Sequence, residues 1–235
     1  FDRNTLFSDL SFALKRGETL GIIGATGAGK STIIRLLMRY YDVSEGSVKI
    51  DGVDIRDYAT SDLRAKFGVV FQNDTLFKDT IRENIRLGRN LTDEQLLEAA
   101  RRAQALEFIE EQGGLDAPVA IKGANLSGGQ KQRLLLARAL AGDPDILLLD
   151  DSSSALDYRT DAKLREEIRL HCADATKIII AQRISSIMHA EKIMVLENGN
   201  VIGMGTHEEL METCPLYREI GESQIGEGLA KEVRA

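Results

Sequence analysis

The chain has 235 residues, enough for one large α/β domain or two lobes, and its 43% hydrophobic and 29% charged content is ordinary for a globular protein. Its formal net charge of −7 argues against nucleic acid as the main partner, because a phosphate backbone requires a basic face.

Other bulk features also narrow the class of protein. The sequence has no secretory signal peptide and no apolar run near the ~20 residues that cross a bilayer as a helix. Cys172 and Cys214 lack metal-binding spacing, which predicts reduced thiols in a cytoplasmic protein. The chain begins at Phe1 without a methionine, so we expect a domain cut from a longer protein.

The hydrophobic pattern predicts short strands separated by helices. The predicted strands are 10–14, 18–23, 46–52, 67–71, 146–149 and 177–181, followed by a hairpin of 192–196 and 201–204. Helices are predicted at 31–38 and 61–66, and at 206–211 behind a capping box of Thr206 and Glu209. Between residues 73 and 142, helical periodicity dominates and β-branched runs vanish.

This alternation predicts an α/β fold, in which a mostly parallel sheet carries helices on both faces. We divide the chain into a core lobe of residues 1–72 and 142–224, a helical subdomain of residues 73–141, and a C-terminal tail of residues 225–235. An antiparallel β part is predicted at the N-terminus. The ligand should lie at the carboxyl ends of the parallel strands.

A phosphate-binding loop joins the strand at 18–23 to the helix that follows it. Residues 24–32, here called the phosphate loop, match the pattern G-x-x-x-x-G-K-[ST]. Glycines let backbone N–H groups converge on phosphate oxygens, and the helix N-terminus adds positive dipole. The predicted phosphate-binding residues are Gly24, Thr26, Gly27, Ala28, Gly29, Lys30, Ser31 and Thr32. A glycine-rich turn that binds nothing is the alternative.

A carboxylate follows the apolar strand at 146–149. Asp150 at that position can hold Mg²⁺ together with the hydroxyl of Ser31, and Lys30 would reach the β- and γ-phosphates of a nucleotide. The alternative is an aspartate that only caps a helix after the strand. The complete phosphate loop favours the metal site.

A second anion site is predicted at residues 126–130, which read Leu-Ser-Gly-Gly-Gln and open a helix predicted at 131–141. Ser127 is placed to cap that helix, while Gly128 and Gly129 leave backbone N–H groups bare at its positive end. With this segment, nearly the whole chain resembles the nucleotide-binding domain of ATP-binding cassette (ABC) transporters, and residues 126–130, including Gln130, are similar to their signature motif. Residues 77–85 are similar to the stretch at the same place in exporter-type members of this family.

The resemblance implies a P-loop NTPase with a RecA-like core, ATP and Mg²⁺ as ligands, and further site residues. Gln72 matches the Q-loop and would join Ser31 and Asp150 at the metal. The D-loop matches Ser154, Ala155, Leu156 and Asp157. Phe1 is a candidate to stack on adenine. Such domains work in head-to-tail pairs, with each ATP between one phosphate loop and the signature of the other domain.

Three places depart from the family pattern: two single residues, described next, and residues 118–123, which lack the glutamates usual in exporters before the signature. Asp151 stands where the family usually has the glutamate that polarises the attacking water, and its carboxylate is withdrawn by about 1.5 Å. Gln182 replaces the switch histidine, and an amide cannot become a cation or relay a proton. With an intact signature, this pattern resembles the degenerate half of a heterodimeric exporter. Harmless variation in an active ATPase is the alternative.

We therefore predict an ATPase motor domain of an ABC exporter at the cytoplasmic face of the cell membrane. Its expected partners are a second nucleotide-binding domain, on a different chain that supplies the glutamate and histidine, and transmembrane domains absent from this chain. Alone, the chain should hydrolyse ATP slowly. The competing hypothesis is a regulatory module that clamps ATP with little turnover. A soluble cassette protein acting on DNA or ribosomes is disfavoured by the acidic charge.

Overall fold

The strands and helices follow one another in the predicted order. The computed structural model describes residues 6–7 and 9–232, with side chains up to residue 224. In this part of the chain the strands are β1 Thr19–Gly24, β2 Lys49–Ile50, β3 Val53–Asp54, β4 Phe67–Val70, β5 Asp79–Thr80, β6 Pro118–Val119, β7 Ile146–Asp150, β8 Thr176–Ile180, β9 Lys192–Glu197 and β10 Asn200–Gly205. The main strands lie within two residues of their predicted bounds.

The helices lie between the strands along the described chain and follow them at its end. They are α1 Lys30–Leu37, α2 Thr60–Ala65, α3 Ile81–Arg86, α4 Asp93–Arg102, α5 Leu106–Glu111, α6 Gly128–Leu140, α7 Tyr158–His171, α8 His207–Thr213 and α9 Pro215–Glu232. Short 3₁₀ turns lie at Ile55–Asp57, Ile121–Gly123 and Ile184–Ser186. The capping box of Thr206 and Glu209 forms at α8 as predicted.

The main sheet has six strands in the order β10-β9-β1-β8-β7-β4. All its neighbours are parallel except β9 and β10, which form the predicted hairpin. The central strands read as continuous apolar runs because helices cover both faces. The mostly parallel α/β fold predicted from the sequence is therefore confirmed. Its parallel strands end together at the edge where Gly24 and Asp150 lie.

Two predicted strands before β4 do not form as predicted. Residues 10–14 make no ladder, although Leu10, Phe12 and Leu14 pack against the core and the residues between them are exposed. The burial therefore alternates as in a strand, but a strand also requires a hydrogen-bonded neighbour. The strand predicted at 46–52 shrinks to β2, which pairs antiparallel with β3. This small hairpin is the antiparallel part among the described residues that precede β4.

The helical region shares its core with the sheet. One hydrophobic cluster includes Leu96 of α4 and Leu134 of α6 together with Leu147 and Leu149 of β7. A second cluster joins the other face of the sheet to α1, and a third lies under α8 and α9. Because α6 packs on the sheet, the signature segment at its N-terminus is held rigidly relative to the strand ends.

The chain beyond residue 224 differs from the predicted tail. Helix α9 continues from Pro215 to Glu232, so the predicted boundary between residues 224 and 225 falls inside a helix. Tyr217 is fully buried in the third cluster, and this anchors the first turns of α9 on the sheet domain. Gly226 and Gly228 lie within this helix, and single glycines lower helix stability by only about 1 kcal/mol each.

Candidate functional site

The phosphate loop requires glycine at two positions for lack of space. Gly24 has φ 151°, and an added Cβ would lie 2.0 Å from the carbonyl oxygen of Leu196. Gly29, at φ 99°, would place a Cβ 2.7 Å from the ring of Phe7. Both positions also lie in the region of positive φ that side chains avoid. The loop therefore depends on glycine to turn from β1 into α1.

Lys30 lies against the backbone of this loop. Its ammonium Nζ donates to the carbonyl oxygens of Gly24 at 2.7 Å and Ala25 at 2.8 Å. Burial lowers the pKa of Lys30, and the charges of Asp150 and Asp151 oppose this shift. The lysine thus adds a positive charge at the positive N-terminus of α1, as an anion site requires.

The three predicted metal-binding residues lie in one cavity. Ser31 of α1, Gln72 after β4 and Asp150 at the end of β7 line a space of about 300 Å³. Its other lining residues are Arg35, Phe71, Asn73 and Asp74. Residues 31, 72 and 150 are far apart in sequence, and the parallel strands bring them to one edge.

The chemistry of this cavity fits Mg²⁺. Asp150 is only 3% exposed, and burial raises the pKa of its carboxyl group, whereas the Ser31 hydroxyl and the Lys30 charge lower it. Mg²⁺ prefers oxygen ligands and is commonly held by one or two carboxylates together with phosphates and water. The residues that the structure describes contain no cluster of three or more His, Cys, Asp or Glu side chains suited to a metal.

Asp151 and Gln182, the two single residues that depart from the family pattern, touch each other. The Gln182 amide Nε2 donates to Asp151 Oδ2 at 2.8 Å. Burial raises the pKa of the Asp151 carboxyl, and the neighbouring Asp150 charge adds to the shift. Hydrogen bonds from Ser154 and Gln182 and the charge of Arg183 oppose it. The sequence singled out both residues, but the contact appears only in the structure.

The signature segment forms a reciprocal helix cap. Ser127 Oγ accepts from the backbone N–H of Gln130 at 3.2 Å, and Gln130 Oε1 accepts from the N–H of Ser127 at 2.9 Å. Helix α6 therefore begins at Gly128 instead of the predicted residue 131. Gly128 and Gly129 lie in its first turn, where backbone N–H groups have no partner within the helix. The predicted cap is confirmed.

Gln132 of α6, the helix that begins at the signature, hydrogen-bonds to the D-loop and was not singled out from the sequence. Gln132 Nε2 donates to Ser154 Oγ at 3.1 Å, while Gln132 Oε1 accepts from the N–H of Ala155 at 2.8 Å. Leu156 is buried in the core, and Asp157 caps α7 by accepting from the N–H of Thr160 at 2.9 Å. No sequence pattern marks Gln132, because its partners lie more than 20 residues away.

The signature and D-loop lie outside the Ser31–Asp150 cavity. Of the residues that the structure describes, the seven lining the cavity include neither residues 127–130 nor residues 154–157. Phe1, the predicted adenine contact, lies outside the described residues, so that assignment stays a prediction. None of the described helices is both long and apolar enough to cross a membrane.

Comparison with known proteins gives matches over nearly the whole chain. A sequence model of the ABC transporter family matches residues 7–154. A Staphylococcus aureus protein named "Putative multidrug export ATP-binding/permease protein" is 43% identical over 217 residues, which are 92% of this chain and 38% of that protein. The similarly named YgaD of Bacillus subtilis is 43% identical over 221 residues, 93% of this chain and 38% of YgaD.

Solved structures give the same picture. The fold is similar to a bacterial Atm1-family ABC exporter with ATP bound, with a TM-score of 0.91 and 40% sequence identity. The match covers 96% of this chain and 40% of the exporter chain. The chain therefore spans about two fifths of the length of these relatives.

Proposed function

The chain belongs to the ABC transporter family as an exporter-type ATP-binding domain, and we propose that it binds Mg·ATP and powers export of a substrate across a membrane. The observation that carries this proposal is the convergence of Ser31, Gln72 and Asp150 in one cavity beside the phosphate loop. These residues come from three separate segments: helix α1, the loop after β4 and the end of β7.

Each residue of the site has a defined part in this proposal. The phosphate-loop amides and the Lys30 ammonium would bind the β- and γ-phosphates of the nucleotide. Ser31, Gln72 and Asp150 would hold Mg²⁺, which when bound would supply positive charge against the phosphates. Asp151 would polarise the attacking water, and its raised pKa suits a base at neutral pH better than an ordinary aspartate.

We propose that the site formed by this chain's own phosphate loop, Asp150 and Asp151 hydrolyses ATP slowly. The Asp151 carboxylate is about 1.5 Å shorter in reach than a glutamate, and a misplacement of that size can cost on the order of 100-fold in rate. One of its oxygens is also engaged by Gln182. We propose that the chain pairs with a different nucleotide-binding domain, whose phosphate loop and glutamate join Ser127, Gly128 and Gly129 of this chain to form the competent site.

The assembly that follows is an exporter with its motor at the cytoplasmic face of the membrane. Transmembrane domains carried elsewhere in the protein or on its partner would contact the substrate. Within this chain, residues 1–72 and 142–224 form the proposed ATP-binding lobe, and residues 73–141 form the subdomain that presents the signature.

A second function is favoured by the Gln182–Asp151 hydrogen bond. Because the Gln182 amide occupies a carboxylate oxygen that would otherwise activate water, the site would bind ATP with little hydrolysis, as a regulatory clamp would. The two functions differ in the assembled protein: a motor couples ATP turnover to substrate movement, whereas a clamp binds ATP and leaves turnover to other domains.

Nucleotide binding is tested by thermal shift. The chain should be stabilised by Mg·ATP by RT ln(1 + [L]/Kd), which is about 2.7 kcal/mol at 100-fold excess over Kd. Lys30→Ala should abolish most of this shift, while Lys49→Ala, an exposed lysine on β2, should leave it unchanged. An unchanged shift in Lys30→Ala would show that the phosphate loop does not hold the nucleotide.

A further inference from the structure

The switch segment, defined here as residues 182–186, is held by the C-terminal helix. The side-chain amide of Gln224 on α9 makes two hydrogen bonds to its backbone. Gln224 Nε2 donates to the carbonyl oxygen of Gln182 at 2.7 Å, and Gln224 Oε1 accepts from the N–H of Ile184 at 2.9 Å. The Gln224 side chain therefore hydrogen-bonds to the backbone on both sides of Arg183, in the way that a neighbouring strand would.

Helix α9 is placed rigidly enough for this contact to matter. Tyr217 lies about two helical turns before Gln224. It is fully buried, and its hydroxyl lies 2.8 Å from His207 Nδ1. Gly221 of α9 faces Ile184, since a Cβ added there would lie in ordinary van der Waals contact with Ile184 Cδ1, at 3.4 Å. The helix therefore packs directly on the switch segment, and Gln224 extends from its next turn.

The contact leads directly to the site. Gln182 is bound by Gln224 through its backbone and by Asp151 through its side chain. From this arrangement we infer that Gln224 is a positioning residue, which holds the switch segment so that the Gln182 amide reaches the Asp151 carboxylate. The functional consequence rests on the role proposed above for Asp151 and Gln182.

A second attachment keeps the far end of the segment in place. Arg165 of α7 donates a hydrogen bond from Nη1 to the carbonyl oxygen of Ser185 and forms an ion pair with Asp161 at 3.3 Å. Loss of Gln224 would therefore release the Gln182 end of the segment without freeing the whole of it. We therefore expect loss of Gln224 to disturb the Gln182–Asp151 contact and to leave the fold intact.

The inference is tested first by hydrogen exchange in the full 235-residue chain. Gln224→Met preserves side-chain length and apolar stem but removes both hydrogen bonds, and Ser223→Ala is the control at an exposed neighbouring position. In Gln224→Met, exchange of the Ile184 amide should speed up about tenfold, as expected for one lost hydrogen bond. Melting temperature and exchange around Tyr217 should stay unchanged. Equal protection of Ile184 in both variants would overturn the inference.

The functional part is tested by a double-mutant cycle with Gln182→Ala. Gln224→Met should raise kcat for ATP about fivefold with KM unchanged, because it frees the Asp151 oxygen that Gln182 engages, and it should have no further effect once Gln182 is alanine. Effects that add in the double mutant would refute the route through Gln182. If Gln182→Ala itself leaves kcat unchanged, the proposed role of Gln182 is wrong, and the exchange of the Ile184 amide alone decides whether Gln224 holds the segment.

Discussion

Replacing Gly128 by aspartate should eliminate ATP turnover without harming the fold. Gly128 is the first residue of α6 and does not have positive φ. A Cβ at this position would meet only the Cβ of Ala155 at 3.4 Å, which is ordinary van der Waals contact. An acidic residue in the first turn of a helix is even favoured by about 0.3–1 kcal/mol. The fold therefore does not require this glycine.

The expected loss follows from electrostatics. If the γ-phosphate of the partner's ATP binds the first-turn N–H groups of α6, an added carboxylate lies about 5 Å from a phosphate charge. At an effective dielectric constant of ~20, that repulsion is about 3 kcal/mol. Since 1.36 kcal/mol corresponds to tenfold, ATP-dependent turnover should fall more than about 100-fold.

The assay is steady-state ATP hydrolysis by the assembled transporter, with the melting temperature of each variant as a control for folding. Gly128→Ala, which adds a methyl group without charge, should melt within about 2 °C of the unmutated protein and retain much more turnover than Gly128→Asp. Lys30→Ala should also retain a substantial fraction, since it affects only the slow site. If Lys30→Ala lowers ATP turnover as much as Gly128→Asp does, the proposed division into one slow and one competent site is wrong. Near-normal turnover in Gly128→Asp would refute the assignment of the signature.

Three further predictions concern the catalytic edge and the stability of the chain. Asp151→Glu combined with Gln182→His should raise phosphate release by the chain at least about tenfold, because both restore the usual chemistry; rapid release by the unmutated chain would contradict the slow-site proposal. Arg138→Met should lower the free energy of unfolding in urea by about 3–5 kcal/mol, because the buried guanidinium donates to Asn84 and Thr75; the exposed Arg159→Met, as control, should cost under about 0.5 kcal/mol. The third prediction concerns stability at acid pH. Hydrogen bonds from Arg101, then Arg102, lower the pKa of Glu98 from 4.5 to about 2. The contribution of Glu98 to the free energy of unfolding is therefore complete above pH 4.5 and is lost as pH falls toward 2. Glu98→Gln should reduce the fall in unfolding free energy across that pH range by less than about 1 kcal/mol, since the ion pair is partly exposed. An unchanged fall in unfolding free energy with decreasing pH would show that the ion pair contributes nothing.

The features that the sequence alone determined are short-range. The phosphate loop, the helix cap by Ser127, the capping box at α8 and the hairpin of β9 and β10 were all predicted, because each depends on residues a few positions apart. The apolar strands were also found, since parallel strands buried on both faces leave long runs of branched side chains. Signals of this kind are complete within one segment.

Contacts between segments were decided only by the tertiary structure. The sequence pointed to Ser31, Gln72 and Asp150 by family pattern, but the strand order placed them in one cavity. The same sheet brought Gln182 against Asp151, and helix packing brought Gln224 to the switch segment. Residues 10–14 failed as a strand for the corresponding reason, because alternation predicts a buried face and cannot supply a hydrogen-bonded neighbour. Such contacts join residues 30 or more positions apart, where no local period links the partners and only the packing of the whole core determines which side chains meet.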